Sequence, residues 1–199
     1  MRDRIDWEGV GTLAEGQAGF LTPRQARELG VGRNALAYHV RPGGRLERAA
    51  RGLYRLRFFP GSPFDHVAAA WVATGPEEAV VTHESALELY DLADVIPDEV
   101  HLTLSRERRS RRARDGVRLH RPRTPLREEE VRTVRGMRVT SVERTLLDVL
   151  QDATQPEQVD AAISQALDRA LTTPARLRAA ARGWPATTRR ALERRLADR

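Results

Sequence analysis

The chain contains neither cysteine nor lysine. Without cysteine there is no disulfide, no thiolate metal ligand and no thiol nucleophile. Without lysine there is no phosphate-loop lysine, no Schiff base and no catalytic lysine of the restriction-nuclease type. Aromatic residues make up only 5% of the 199 positions. No apolar run approaches the roughly 20 residues that a membrane-spanning helix requires. The opening residues, MRDRIDWEGVG, carry no apolar stretch, which predicts no signal peptide and a cytoplasmic location. No D-x-D pair marks a two-metal phosphoryl-transfer site, and neither G-x-S-x-G nor H-E-x-x-H is present. The five histidines (His39, His66, His83, His101, His120) show no i, i+4 pairing. Their spacing along the chain therefore predicts no zinc site, and no cofactor is expected.

What is present is arginine. All 34 basic residues are Arg, and their placement carries more information than their number. Residues 1–60 hold eleven Arg against six acids, whereas 61–104 hold nine acids and no Arg at all. Residues 105–144 hold fourteen Arg against six acids, and 145–199 nine against seven. The composition shift near Pro60-Gly61-Ser62-Pro63, itself turn chemistry, predicts a domain boundary there. That gives two domains, 1–60 and 61–199.

The first domain is organised around Phe20 to Arg57. Thr22, Pro23 and Gln25 form the signature of a capped helix start. Gly30 follows Ala26 by four residues and permits the left-handed turn between two steeply crossed helices. The second helix, Arg33 to Val40, buries Leu36 and Val40 and turns Arg33, Asn34, Ala37 and Tyr38 outward. Arg and Asn are the side chains that pair with guanine and adenine edges in a major groove. Gly43-Gly44 then breaks the chain, and Arg45–Ala49 and Leu53–Arg57 form a hairpin turning at Arg51-Gly52. From Arg33 to Arg57 seven Arg stand against one acid, Glu47. Two readings share these elements: a winged helix-turn-helix that binds DNA, and an ordinary small domain with solvated arginines. The basic hairpin beside an outward-facing Arg-Asn helix favours the first. An amphipathic helix over residues 4–18, with Trp7, Val10 (or Leu13) and Ala14 inward, completes the domain.

Beyond Pro63 the periodicity predicts a helix over Phe64–Thr74, a strand over Ala79–Val81 and a helix from Thr82 to Tyr90. Strands follow at Val100–Leu104 and Val117–Arg121, and a hairpin at Glu130–Val139. Thr140 and Glu143 have capping-box spacing and open a helix through Leu150. Within it, Arg144 and Asp148 stand four apart as an ion pair. Residues 155–199 give three helical segments, each with a proline near its start. The Arg106–Arg114 run has two readings: a solvated loop, or a second contact for nucleic acid or an acidic partner.

The order of these features resembles a known family, the AbiEi antitoxins and transcriptional regulators of type IV toxin–antitoxin systems. The matching stretches are RGLYRL (51–56), AAWVA (69–73), THESALELYDL (82–92), VIPDEVHLTL (95–104), GVRLHR (116–121) and GMRVTSVERTLLD (136–148). The resemblance covers roughly residues 10–150. It implies a winged helix joined to a mixed α/β antitoxin domain, repression of the chain's own promoter, and a functional partner that is a nucleotidyltransferase-like toxin. Some relatives add a nuclease-like C-terminal extension with carboxylates and a lysine; here the tail is helical and lysine-free.

The expectation is therefore an α+β chain: a winged helix-turn-helix at 1–60, then a mixed α/β antitoxin domain at 61–199 with a helical tail from 155. Double-stranded DNA is the expected ligand. Arg33, Asn34, Ala37 and Tyr38 face base edges, while Arg41, Arg45, Arg48, Arg51 and Arg55 reach phosphates or the minor groove. No catalytic or metal-ligating residue is assigned and the chain is read as non-enzymatic. The rival is a nucleic-acid-processing enzyme that the winged helix delivers to DNA.

Overall fold

In the computed structural model the first helix among the described residues begins at Trp7. The Asp6 carboxylate accepts from the Gly9 N–H at 2.9 Å and caps α1 (Trp7–Glu15). The structure describes residues 5–94, 96–104, 113–122, 124–152 and 154–197. Two units result: Met1–Glu78 with Arg135–Met137, and Ala79–Val134 with Arg138–Arg199.

In the first unit, β1 (Phe20–Leu21) leads into α2 (Pro23–Glu28) and α3 (Arg33–His39). Then come β2 (Leu46–Ala50), β3 (Leu53–Leu56) and α4 (Asp65–Thr74). The capping box at Thr22 forms as the sequence predicts. The Gln25 N–H donates to Thr22 Oγ1, and Gln25 Oε1 accepts from the Thr22 N–H at 2.9 Å. At its other end α2 closes with paired bonds from Gly30 N–H to Arg27 O (3.0 Å) and Val31 N–H to Ala26 O (2.8 Å). This geometry requires a left-handed residue, which Gly30 supplies at φ 80°. It also brings Val31 against Ala26 in a core shared with Val10, Leu21, Leu36 and Leu46.

The three strands order as β1-β3-β2, all antiparallel. Two features fix the hairpin to α3. A Cβ on Gly44 would lie 2.0 Å from His39 O, so only glycine lets the chain pass so close. Arg57 donates to the carbonyls of Gly44 (2.8 Å), Leu46 (2.9 Å), Val40 (3.2 Å) and Arg41 (3.3 Å). Its forked guanidinium thereby satisfies acceptors that the end of α3 leaves without helical partners.

The second unit has a five-stranded sheet ordered β6-β5-β4-β8-β7. Its strands are β4 (Ala79–Val81), β5 (Val100–Leu104), β6 (Val117–His120), β7 (Val131–Val134) and β8 (Met137–Thr140). β5 and β6 run parallel, pairing Val100 with Val117 and Thr103 with His120, while β4 is antiparallel to β5 and parallel to β8. The helices are α5 (His83–Tyr90), α6 (Val142–Gln151), α7 (Pro156–Asp168), α8 (Pro174–Ala180) and α9 (Ala186–Ala197). Both units mix helix and sheet, so the class is α+β.

Several boundaries differ from the sequence expectation. The units divide between Glu78 and Ala79, not at Pro60–Pro63, because α4 packs back on β1 and β3. Three acids of the arginine-free segment, Asp65, Glu77 and Glu78, therefore fall in the first unit. The α6 cap is Ser141, not Thr140: Ser141 Oγ accepts from the Arg144 N–H, and Thr140 stays in β8, bonded to Thr145. Glu143 is released from capping and binds Thr172 and Arg176 instead. The helical tail is integral to the fold. Ile163, Leu177, Trp184 and Leu192 share a core with Leu87 of α5 and Leu146 of α6.

Candidate nucleic-acid interface

The second helix of the pair presents a divided surface. Leu36 is buried while Arg33, Asn34, Ala37 and Tyr38 are exposed along the opposite side, Tyr38 at 64%. The Tyr38 ring packs edge-on to His39, with centroids 5.1 Å apart, and otherwise stands in solvent. α3 buries Leu36, packs Ala35 and the following Val40 partly against the same core, and leaves Arg33, Asn34, Ala37 and Tyr38 in solvent.

Next to this face stand Arg41, Arg45, Arg48 and Arg51, all exposed. Gly52 turns the hairpin at φ 74° and projects Arg51 at its tip. Arg45 lies over the Trp7 ring at 4.9 Å, which holds its charged end in place without burying it. His39 packs edge-on to the same Trp7 ring, and its imidazole is lowered from the ordinary range by burial and then by Arg45. Arg55 has a different setting. It pairs with Asp65 at 2.8 Å, donates to Pro60 O at 3.0 Å and stacks over Phe20, with its side chain 15% exposed. That places Arg55 in the packing between β3 and α4, apart from the exposed arginines. Of the Arg106–Arg114 run, residues 106–112 lie outside the described residues.

Sequence spacing gives no hint of a second cluster, in the second unit. His83 opens α5, His101 sits in β5 and His120 ends β6, yet the fold brings their rings together. His83 and His120 stack with centroids 3.6 Å apart, and His101 lies 4.9 Å from His120. Burial pushes His83 down to about 2 and His120 to about 4, and lowers His101, so all three are neutral at pH 7. Beside them Arg144, at 2% exposure, donates to Asp148 (3.0 Å), Glu130 (3.1 Å), Thr124 O (2.9 Å) and Pro125 O (3.3 Å). Its guanidinium also covers the Trp184 ring at 4.9 Å. Burial lifts the Asp148 carboxyl to about 6, although Arg144 pulls it the other way. The sequence signal for this arrangement was the Arg-x-x-x-Asp spacing on α6, but nothing local shows that the pair is buried.

Residues 12–57 match the family model of the AbiEi antitoxin transcriptional regulators. The AbiEi match runs from within α1 to the residue after β3, so it contains the whole helix pair and hairpin. Among solved structures, the chain is similar to the crystal structure of the RV2827C protein from Mycobacterium tuberculosis. The TM-score is 0.54 at 19% identity, covering 94% of this chain and 74% of that one. At that identity the likeness is one of fold. No curated protein matches. Among the described residues, no helix is long and apolar enough to cross a membrane.

Proposed function

We propose that the chain is a DNA-binding repressor of its own promoter and the antitoxin of a type IV toxin–antitoxin operon. In this reading α2, α3 and the β2–β3 hairpin act as a winged helix-turn-helix. The observation that carries it is the exposed Arg33-Asn34-Ala37-Tyr38 face beside the exposed Arg41, Arg45, Arg48 and Arg51, within the stretch that matches AbiEi regulators. Side chains of α3 enter the major groove and read base edges, while the hairpin arginines neutralise flanking phosphates. The second unit, with its own core and sheet, carries the antitoxin role against a nucleotidyltransferase-like toxin. No step of this function requires catalysis by the chain.

Point variants in the full chain separate the two roles. Arg48→Ala with Arg51→Ala is expected to lower affinity for the DNA upstream of the gene at least tenfold and to derepress a promoter reporter. The same variant is expected to restore growth in cells expressing the toxin as well as the wild type does. Unchanged DNA binding would sink the hairpin assignment. Loss of protection together with DNA binding, in a variant that melts like wild type, would contradict an antitoxin role housed in the second unit.

A further inference from the structure

Three side chains from distant parts of the second unit converge at the edge of the histidine stack. His83 Nε2 lies 3.9 Å and His120 Nδ1 3.6 Å from the same oxygen of Asp152, Oδ2. Donor atoms of the three residues all lie within 4.8 Å of one another. His83 follows β4, His120 ends β6 and Asp152 caps the C-terminus of α6. We propose that His83, His120 and Asp152 form a binding site for one divalent transition-metal cation of the zinc class.

The donor set is the first argument. Two imidazoles and a carboxylate are the ligands that suit zinc and its first-row neighbours, and three protein ligands leave a further position open. That position has somewhere to face. A cavity of about 150 Å³ is lined by His83, His120 and Asp152, together with Thr124, Gln151 and Trp184. Bond lengths of about 2.0–2.2 Å place tetrahedral donors about 3.4 Å apart, so donors within 4.8 Å of one another need to approach by up to ~1.4 Å. Asp152 Oδ2, already 3.9 Å and 3.6 Å from the two imidazole nitrogens, needs to shift by no more than ~0.5 Å, and its side chain is 35% exposed.

Orientation is the second. His83 Nδ1 is held by Thr82 Oγ1 at 3.0 Å, and Thr82 Oγ1 in turn accepts from Thr103 Oγ1 at 3.1 Å. With the proton on Nδ1, donated to Thr82, the lone pair of Nε2 is directed toward Asp152; this is the outer-shell arrangement that orients metal-bound histidines. His83 also holds a left-handed backbone, φ 52°, at the first residue of α5. Strain of that kind concentrates at functional positions.

Unmet polarity is the third. Gln151 Oε1, in the lining of the cavity, is buried without a hydrogen-bond partner, and such a group calls for a ligand or an ordered water. The opposing charges are Arg118, whose guanidinium lies 3.9 Å from Asp152 Oδ2, and Arg121 and Arg144, which line the cavity. Arg144 is paired with Glu130 and Asp148, and Arg118, half exposed, can swing into solvent as the cation enters.

The test uses untagged full-length protein, stripped with a chelator and titrated with Zn²⁺ by calorimetry and with Co²⁺ by visible absorption. The expected result is one equivalent of Zn²⁺, a Co²⁺ spectrum of a low-coordinate nitrogen and oxygen site, and a raised melting temperature. Asp152→Asn is expected to weaken binding at least tenfold and His120→Asn to abolish it. His66→Asn, an exposed histidine of the first unit, is expected to bind as wild type does. Should His120→Asn fail to fold by circular dichroism, Asp152→Asn at the open edge of the site decides. Absence of saturable binding of both metals overturns the proposal. So does binding that survives Asp152→Asn unchanged, or that is weakened equally by His66→Asn.

Discussion

Replacing Arg144 with alanine is expected to destabilise the second unit by about 3–5 kcal/mol, the cost of removing one partner from a buried ion pair. Asp148 and Glu130 would be left buried without their cation, and the carbonyls of Thr124 and Pro125 would lose their donor. On the sequence alone the same pair reads as worth a few tenths of a kcal/mol, the value for an exposed i, i+4 contact. Urea melts of the second unit distinguish the two values directly. Arg144→Lys should recover little, since an ammonium cannot reproduce the fork that meets Asp148 and two carbonyls while stacking on Trp184. Arg144→Met combined with Asp148→Leu should cost less than Arg144→Ala alone, because no charge on α6 is then stranded. If Arg144→Ala costs under about 1 kcal/mol, the ion pair is not what holds the 128–130 turn, α6 and the 124–125 segment together.

Affinity for DNA is expected to fall about a hundredfold between 50 and 200 mM salt, a slope near −3.6 in log–log form for four neutralised phosphates. The sequence suggests a steeper slope, since it offers five or more arginines for the backbone. The structure removes Arg55, which is paired with Asp65, and Arg57, which is turned onto four carbonyls. Arg41, Arg45, Arg48 and Arg51 keep exposed side chains on this surface. Each alanine at one of these positions should reduce the slope by about one. A slope near zero would contradict phosphate neutralisation altogether, and no change on Arg48→Ala would remove that residue from the interface.

How far the chain could be read in advance depended on the range of the forces involved. The capped start of α2, the left-handed Gly30 and the burial of Leu36 are local, and each formed where its residues predicted. Features set by distant partners were not legible. Arg48 and Arg55 look alike in sequence, but only Arg55 meets Asp65, which α4 brings back against β3. The Pro60–Pro63 turn is present in the composition, yet the packing of α4 moves the division of the units to Glu78. The histidines meet because β5 and β6 pair in parallel and place Thr103 beside His120, while Thr82 N–H bonds His101 O beyond the end of β4. No spacing within one segment encodes that meeting.

The reading of DNA sequence by α3 is tested most directly by fluorescence anisotropy with the full chain at ~0.15 M salt. Two duplexes are compared, the DNA upstream of the gene and a shuffled duplex of equal composition. Wild type should prefer the upstream DNA. Asn34→Ala and Arg33→Ala should each lose about 1–3 kcal/mol on it, roughly 5- to 150-fold, with little change on the shuffled duplex. Equal losses on both duplexes, or no loss on either, would contradict base readout by α3.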